Sequence, residues 1–248
     1  MRKSVIILLL LLLPLCLEAR RIYVLAAGVS DYPGTENDLR LPCNDARAIS
    51  NLYKQNSDAE IILLTNENAT RENILNKAKA LFSQAGPNDI VVLFFSGHGF
   101  PGGFVVYNKV AISYREMYSV FANCPAKNKM IFADACYSGK MNSLGKGGHS
   151  KDKKGVMFFL SSRDNETSRE RSDMENGFFT ACLLSSLKGG ADANGDRIIT
   201  ARELFVKVKA GVMRLSAGAQ HPVMWGSFND NMVVMSWKQR DLNYENTD

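Results

Sequence analysis

Two short runs of bulky apolar residues limit the possible folds of this chain more than any other feature. The first, residues 90–95, reads IVVLFF, and the second, residues 129–133, reads KMIFA. Both are bounded by glycine and polar residues, and both are shorter than a typical buried helix. Runs of this kind are typical of strands that are buried on both faces, as in a parallel sheet. We therefore predict two neighbouring parallel strands here.

The remaining sequence alternates between segments typical of strands and segments typical of helices. Further strands are predicted at residues 21–28, 60–65 and 156–161, with a hairpin at 104–112 and an extended segment at 222–225. Helices are predicted at residues 44–56, 71–85, 114–122, 177–188 and 200–214. This alternation predicts an α/β fold in which helices cover both faces of a mainly parallel sheet.

The first nineteen residues are typical of a secretory signal peptide. Arg2 and Lys3 precede an apolar run at 5–13, which is shorter than the roughly 20 residues that span a bilayer. We expect cleavage after Ala19 and export to a bacterial periplasm or the extracellular space; the alternative is a lipid anchor at Cys16. No stable membrane span is expected.

Residues 20–248 have the length of one α/β domain. Loss of residues 1–19 lowers the formal net charge from +5 to +4, because Arg2, Lys3 and Glu18 are removed together. A charge of this size, without a basic stripe interleaved with aromatic residues, argues against a nucleic-acid partner. Residues 140–155 contain five lysines and four glycines and predict an exposed, flexible loop, which is a candidate for self-processing.

The two apolar runs lead into the residues that carry the chemistry. His98 lies in SGHG at 96–99, and Cys136 lies in DACYSG at 134–139. Loops at the carboxyl ends of neighbouring parallel strands converge on one crevice, so we predict that His98 activates Cys136 as a nucleophile. The amides of Gly99 and Cys136 would hold the oxyanion. The alternative is a buried cysteine and a histidine in a turn.

Other chemistry that the motifs suggest is less well supported. Residues 97–102 read GHGFPG, but they lead into a strand-like segment, whereas a dinucleotide-binding turn opens a helix. Cys43, Cys124 and Cys182 form no compact disulfide framework with Cys136, and Cys182 is expected to be a small buried apolar residue.

Residues 192–203 resemble a calcium-binding loop. Candidate ligands are Asp192, Asn194, Asp196 and Glu203. Arg197 stands where the sharp turn of such a loop requires glycine, so the favoured alternative is a turn that leads into a helix capped by Thr200. Weak calcium binding remains the second interpretation.

These motifs together resemble those of the caspase-like peptidases, most closely the metacaspase and bacterial branch. The histidine and cysteine motifs match in the right order, with further similarity at 41–46, 161–163 and 177–180. The resemblance implies a three-layer α/β/α sandwich with a six-stranded, mainly parallel sheet and a Cys–His peptidase that requires no cofactor. Tyr137 departs from the family, since metacaspases commonly have histidine there. A catalytically silent scaffold and a calcium-binding module are the competing functions.

Two acidic residues predict cleavage of protein or peptide substrates after Arg or Lys. Asp134 lies two residues before Cys136, so along a strand both side chains share one face. The resemblance places Asp45 as a second carboxylate of a pocket for basic side chains. Two carboxylates would bind a guanidinium and repel a substrate aspartate. The alternative is that Asp134 caps a loop and Asp45 stabilises the start of a helix.

Overall fold

The computed structural model describes residues 20–135, 155–162 and 173–238. Its strands are β1 Ile22–Gly28, β2 Ala59–Thr65, β3 Ile90–Gly97, β4 Gly99–Phe100, β5 Gly103–Val105, β6 Ala111–Ser113, β7 Asn128–Ala135, β8 Met157–Leu160, β9 Ile198–Thr200, β10 Val223–Gly226 and β11 Val233–Ser236. Its α-helices are α1 Pro42–Lys54, α2 Arg71–Phe82, α3 Tyr114–Ser119, α4 Phe178–Ser185 and α5 Ala201–Leu215.

Six strands form the central sheet in the order β10-β8-β7-β3-β1-β2. The pairings among β2, β1, β3, β7 and β8 are parallel, and β10 pairs antiparallel with β8 at one edge. This arrangement confirms the predicted six-stranded, mainly parallel sheet. The two apolar runs from which the prediction started lie side by side in it, as β3 and β7.

Alternate residues of the central strands build two separate cores. On β3, Val91, Leu93 and Phe95 pack with residues of α2 and α3, while Ile90, Val92 and Phe94 pack with residues of α1, α4 and α5. We call these two sides of the sheet the α2 face and the α1 face. Because both sides of each strand are covered, the strands carry continuous apolar runs, and the three-layer sandwich follows.

Local capping fixes where three helices begin. Thr70 accepts a hydrogen bond from the backbone N–H of Asn73 at the start of α2, as the sequence predicted. Ser113 with Glu116, and Thr200 with Glu203, form reciprocal capping boxes at α3 and α5. These side chains satisfy backbone N–H groups that have no partner within the helix.

Two parts of the fold differ from the sequence prediction. The hairpin of β5 and β6 gains a third strand, β4, directly after His98, and β9 pairs antiparallel with β11 in a small sheet that the sequence did not indicate.

Residues 140–154 of the predicted exposed loop lie outside the described residues, but Gly155 is buried. A Cβ there would lie 1.9 Å from the carbonyl oxygen of Ser227, so close packing of two backbones overrides the expectation at this residue.

No α-helix in the described ranges is long and apolar enough to cross a membrane. The predicted signal peptide and the alternative anchor at Cys16 lie outside the described residues, so export of the chain stays a prediction.

Candidate active site

The ends of β3 and β7 bring the two catalytic motifs to one edge of the sheet. Ser96 lies opposite Asp134, and Gly97 lies opposite Ala135. The next residue of each chain segment is a predicted catalytic residue, His98 after Gly97 and Cys136 after Ala135. His98 is described and half-buried, whereas Cys136 lies outside the described residues. The dyad itself therefore stays a prediction.

The environment of His98 determines which ring nitrogen is free to act as a base. Its Nε2 lies 2.8 Å from the backbone carbonyl oxygen of Asn37. A carbonyl oxygen only accepts hydrogen bonds, so in the neutral ring Nε2 carries the proton and Nδ1 has the lone pair. His98 is thus held in one tautomer, with Nδ1 as its basic atom.

Gly99, the predicted oxyanion donor, begins β4 immediately after His98. It lies opposite Phe104 of β5 in the antiparallel ribbon, and it is half-buried. The ribbon therefore fixes the backbone on the far side of His98. The second predicted donor, the amide of Cys136, lies outside the described residues.

Asp45 and Asp134 meet on the α1 face of the sheet. Asp45 lies in the first turn of α1 and is 1 % exposed, and Asp134, near the end of β7, is 6 % exposed. A Cβ built on Gly177, just before α4, would lie 2.5 Å from Oδ2 of Asp134 and 3.5 Å from Oδ2 of Asp45. The structure thus brings together two carboxylates that are 89 positions apart in the sequence.

In the described part of the chain, Asp45 and Asp134 are oriented by hydrogen bonds from Ser96, Asn176, Gly177 and Thr180. Asp45 accepts from the Ser96 hydroxyl at 2.8 Å, the Asn176 side-chain amide at 2.9 Å and the Gly177 backbone N–H at 3.1 Å. Asp134 accepts from the backbone N–H and the hydroxyl of Thr180 at 3.1 and 2.9 Å. The alternative role of Asp134 as a cap is therefore partly met, since Asp134 accepts a hydrogen bond from a backbone N–H in the first turn of α4. Asp45 lies in the first turn of α1, as its alternative role requires, but it accepts hydrogen bonds from β3 and from the segment before α4.

The two buried carboxyl groups also affect each other's charge. Burial, and then the negative charge of Asp134, hold the pKa of Asp45 well above its usual range, although its three hydrogen bonds oppose the shift. A second like charge nearby makes ionisation of both groups costly. An added cation at this position would remove that cost.

Sequence reasoning missed the residues that hold the carboxylates. Ser96 carried a usable signal. It lies two and four residues after Phe94 and Val92, so its side chain shares their face of β3, and it belongs to the same motif as His98. For Gly177 and Thr180 the only signal was the similarity of residues 177–180 to the family motif, and Asn176 carried no signal. Their contacts with Asp45 and Asp134 span 46 to 132 positions of sequence and depend on how α4 packs.

The calcium candidates form the turn that was the favoured alternative. Asp192 accepts from the backbone N–H groups of Gly195 and Arg197, and Glu203 accepts from both the backbone and the hydroxyl of Thr200. The side chains of Asn194 and Asp196 are hydrogen-bonded to each other, and each accepts a hydrogen bond from a backbone N–H of the same turn. Within the three described ranges no group of three or more His, Cys, Asp or Glu side chains is placed to hold a metal ion. Calcium binding at Asp192, Asn194, Asp196 and Glu203 gains no support.

The described cysteines, Cys43, Cys124 and Cys182, are free thiols. Cys182 was expected to be buried but is only partly covered, and a Cβ on Gly211 of α5 would lie 2.8 Å from its Sγ. Burial raises its pKa to about 11, and burial also raises the pKa of Cys124. A raised pKa leaves little reactive thiolate at neutral pH. Neither of these two thiols is therefore suited to the nucleophile role that the sequence predicts for Cys136.

Comparisons with known proteins agree with this architecture. The family model of the caspase domain matches residues 21–233. Metacaspase-1 of Candida albicans is 36% identical over 77 residues, which are 28% of this chain and 17% of that protein. Metacaspase-1 of Debaryomyces hansenii is 34% identical over 84 residues, 30% of this chain and 19% of that protein. The matched part therefore spans less than a fifth of these relatives.

Two solved structures share the fold. A protein from Geobacter sulfurreducens superimposes with a TM-score of 0.66 at 16% identity, covering 88% of this chain and 100% of that chain. Caspase-1 from Spodoptera frugiperda superimposes with a TM-score of 0.63 at 13% identity, covering 89% and 92%. At these identities the likeness concerns the fold alone.

Proposed function

This chain belongs to the caspase-domain family of cysteine peptidases, and from that premise we propose that it hydrolyses peptide bonds after arginine or lysine through Cys136 and His98. One observation carries the proposal. The register of β3 and β7 is constant from Ile90 opposite Asn128 to Gly97 opposite Ala135, a separation of 38 positions. His98 and Cys136 are also 38 positions apart, so a continuation of the same register would place them opposite each other.

The tautomer of His98 suits the proposed first step. Nδ1 would accept the thiol proton of Cys136, while Nε2–H remains bonded to the Asn37 carbonyl oxygen. The thiolate attacks the carbonyl carbon of the substrate, and the carbonyl oxygen becomes an anion. The backbone amides of Gly99 and Cys136 are the proposed donors to that oxygen.

The same proton then completes the cycle. His98 gives it to the leaving amine as the C–N bond breaks, and the acyl group remains on Cys136 as a thioester. Water attacks the thioester with His98 as base, which releases the acid and restores the thiol. Each step uses side chains, backbone amides and water, so the proposal calls for no cofactor.

The specificity for basic residues is supported by the charge of Asp45 and Asp134. Both carboxylates are buried, oriented by hydrogen bonds and raised in energy by mutual repulsion. A guanidinium or ammonium group between them would form charge-assisted hydrogen bonds with these carboxylates and relieve the repulsion. A substrate aspartate would add a third negative charge in the same place.

A peptide library separates the proposed peptidase from a silent scaffold. Purified protein is incubated with the library, and the cleavage products are identified by mass spectrometry. The expected result is cleavage after Arg and Lys that Cys136→Ala abolishes and Cys182→Ala retains, since Cys182 lies beside Gly211 between α4 and α5. Products that persist in Cys136→Ala would contradict the assignment of the nucleophile.

A further inference from the structure

Tyr32, which lies outside the proposed dyad, contacts His98 through both its hydroxyl and its ring. We propose that Tyr32 is a positioning residue that sets the orientation of the His98 imidazole and thereby the reactivity of Cys136. This inference rests on the proposed function. It assigns Tyr32 no contact with substrate.

The hydroxyl of Tyr32 replaces one hydrogen bond of the ribbon that follows His98. His98 and Val105 would be the next pair after Gly99 and Phe104. In a regular hydrogen-bonded antiparallel pair, two opposite residues exchange two N–H···O bonds. Here only one is direct, from the Val105 N–H to the His98 carbonyl oxygen at 2.9 Å.

The second bond of that pair passes through Tyr32. Its Oη accepts from the backbone N–H of His98 at 3.0 Å and donates to the carbonyl oxygen of Val105 at 2.9 Å. An inserted hydroxyl separates the two backbones more than a direct bond would. The position of the His98 backbone, and hence the starting point of its side chain, therefore depends on this one oxygen atom.

The ring of Tyr32 restricts the imidazole itself. The two ring centroids are 4.9 Å apart, with an interplanar angle of 44°. On another edge, the imidazole Nε2 is bonded to the carbonyl oxygen of Asn37. Tyr32 and Asn37 belong to one loop, residues 30–39. Two hydrogen bonds close this loop: the Tyr32 N–H donates to the Asp38 carboxylate, and the Leu39 N–H donates to the Ser30 carbonyl oxygen.

The site around the Tyr32 hydroxyl is closely packed. Tyr32 is 1 % exposed, and burial raises the pKa of its phenol, so the hydroxyl stays protonated at neutral pH. A Cβ on Gly97 would lie 2.8 Å from its Oη. The hydroxyl thus has room only where it is, between β3 and β5, and can both donate and accept.

Loss of this hydroxyl would leave the His98 N–H and the Val105 carbonyl oxygen without a partner between them. The two backbones would then approach each other or admit water, and either change moves the imidazole. Displacement of a catalytic group by about 1 Å can lower a rate by about 10²-fold. A displaced imidazole would also stabilise the Cys136 thiolate less, so the pKa of Cys136 would rise.

The test is Tyr32→Phe in the full chain, with Tyr53→Phe as the matched control. Tyr53 lies on α1 and is fully buried, and its hydroxyl has no hydrogen-bond partner in the described part of the chain. Two quantities are measured. One is kcat and KM on an arginine peptide; the other is the rate at which iodoacetamide alkylates Cys136 between pH 5 and 9, followed by mass spectrometry of the Cys136 peptide.

For Tyr32→Phe we expect kcat to fall about 10- to 100-fold with little change in KM, because orientation and not binding is lost. The midpoint of Cys136 alkylation should move up toward about pH 8.5, the value of an ordinary thiol. Tyr53→Phe should change neither. A purely structural role for Tyr32 would lower the melting temperature without moving the alkylation midpoint, and that result would overturn the proposal.

A second variant guards against failure of Tyr32→Phe to fold. Gly97→Ala keeps the hydroxyl but places a methyl group against it, and the same upward shift is expected; an unchanged midpoint would again overturn the role of Tyr32. The wild-type protein tests the premise separately. If its own Cys136 alkylates with the midpoint of an ordinary thiol and no peptide is cleaved, the dyad is wrong, whatever Tyr32 does.

Discussion

Gly97 on β3 lies opposite Ala135 on β7, at the last position of a parallel pairing that runs without interruption from Ile90 and Asn128. The described parts of β3 and β7 therefore end side by side. In open α/β sheets, functional groups collect at the carboxyl ends of adjacent strands because the loops there share one crevice. The residues that follow in the sequence, His98 and Cys136, are the proposed dyad that the first prediction tests.

Removal of either member of the dyad should abolish peptidase activity. For Cys136→Ala, kcat/KM on an arginine peptide should fall about 10⁴-fold or more, and His98→Ala should lose nearly as much. The double variant should lose little beyond the single variants, because the two groups act as one unit. Circular dichroism checks that the fold is retained, and full activity in either folded variant would rule out the dyad.

Neutralising Asp134 should weaken turnover of arginine substrates. One charge-assisted hydrogen bond contributes about 1.5–3 kcal/mol, so Asp134→Asn should lower kcat/KM about 10- to 100-fold. Alkylation of Cys136 should be unaffected, and Asp196→Asn, in an exposed turn, serves as the control. Cleavage after aspartate in a peptide library, or an unchanged basic preference in Asp134→Asn, would contradict the pocket.

Because of Asp45, the substrate-free protein should become more stable against unfolding as the solution is acidified from neutral pH. Its pKa in the fold is well above its usual range, because of burial and the charge of Asp134. Its ionised form therefore costs stability above the folded pKa, and that cost is relieved as pH falls through the folded pKa toward the unfolded value, about 3.9. In thermal melts, Asp45→Asn should be more stable than wild type at neutral pH, with the difference shrinking on acidification; a difference that grows would refute this assignment.

Glu116 should show the opposite pH dependence. Hydrogen bonds from the Ser113 hydroxyl and backbone, with Arg71 nearby, lower the pKa of Glu116 to about 2. Its stabilising effect is therefore present above its unfolded pKa, near 4.3, and is lost as pH falls toward 2. Glu116→Gln should lower the melting temperature at neutral pH and match wild type near pH 2. If Glu116→Gln and wild type had equal melting temperatures at both pH values, the capping box at α3 would not be stabilising.

Self-processing is expected within residues 140–155. The five lysines of this segment suit a peptidase that cleaves after basic residues. Mass spectrometry of the active protein should find a new amino terminus there that Cys136→Ala lacks. Mutation of the five lysines to glutamine should prevent the cut, and an uncut chain with full activity would show that processing is unnecessary.

The strands were predictable because their burial is visible in local sequence. β3 and β7 are covered on both faces, so nearly every position is apolar, and the polar residues that end each run mark the edge where His98 and Cys136 follow. The starts of α2 and α5 were predictable for a similar reason, since Thr70 and Thr200 bond backbone groups only three residues away. The small sheet of β9 and β11 was missed because it joins short strands more than thirty residues apart.

The sequence by itself determined the α/β architecture, the strands that carry the two motifs and the acidic character of Asp45 and Asp134, because each depends on residue type and spacing along one segment. Only the tertiary structure decided that Ser96, Asn176 and Thr180 hold those carboxylates, and that Asn37 and Tyr32 hold His98. These contacts join residues 46 to 131 positions apart. Hydrogen bonds form over about 3 Å, and such proximity between distant segments is set by the packing of helices and loops on the sheet, which no local pattern encodes.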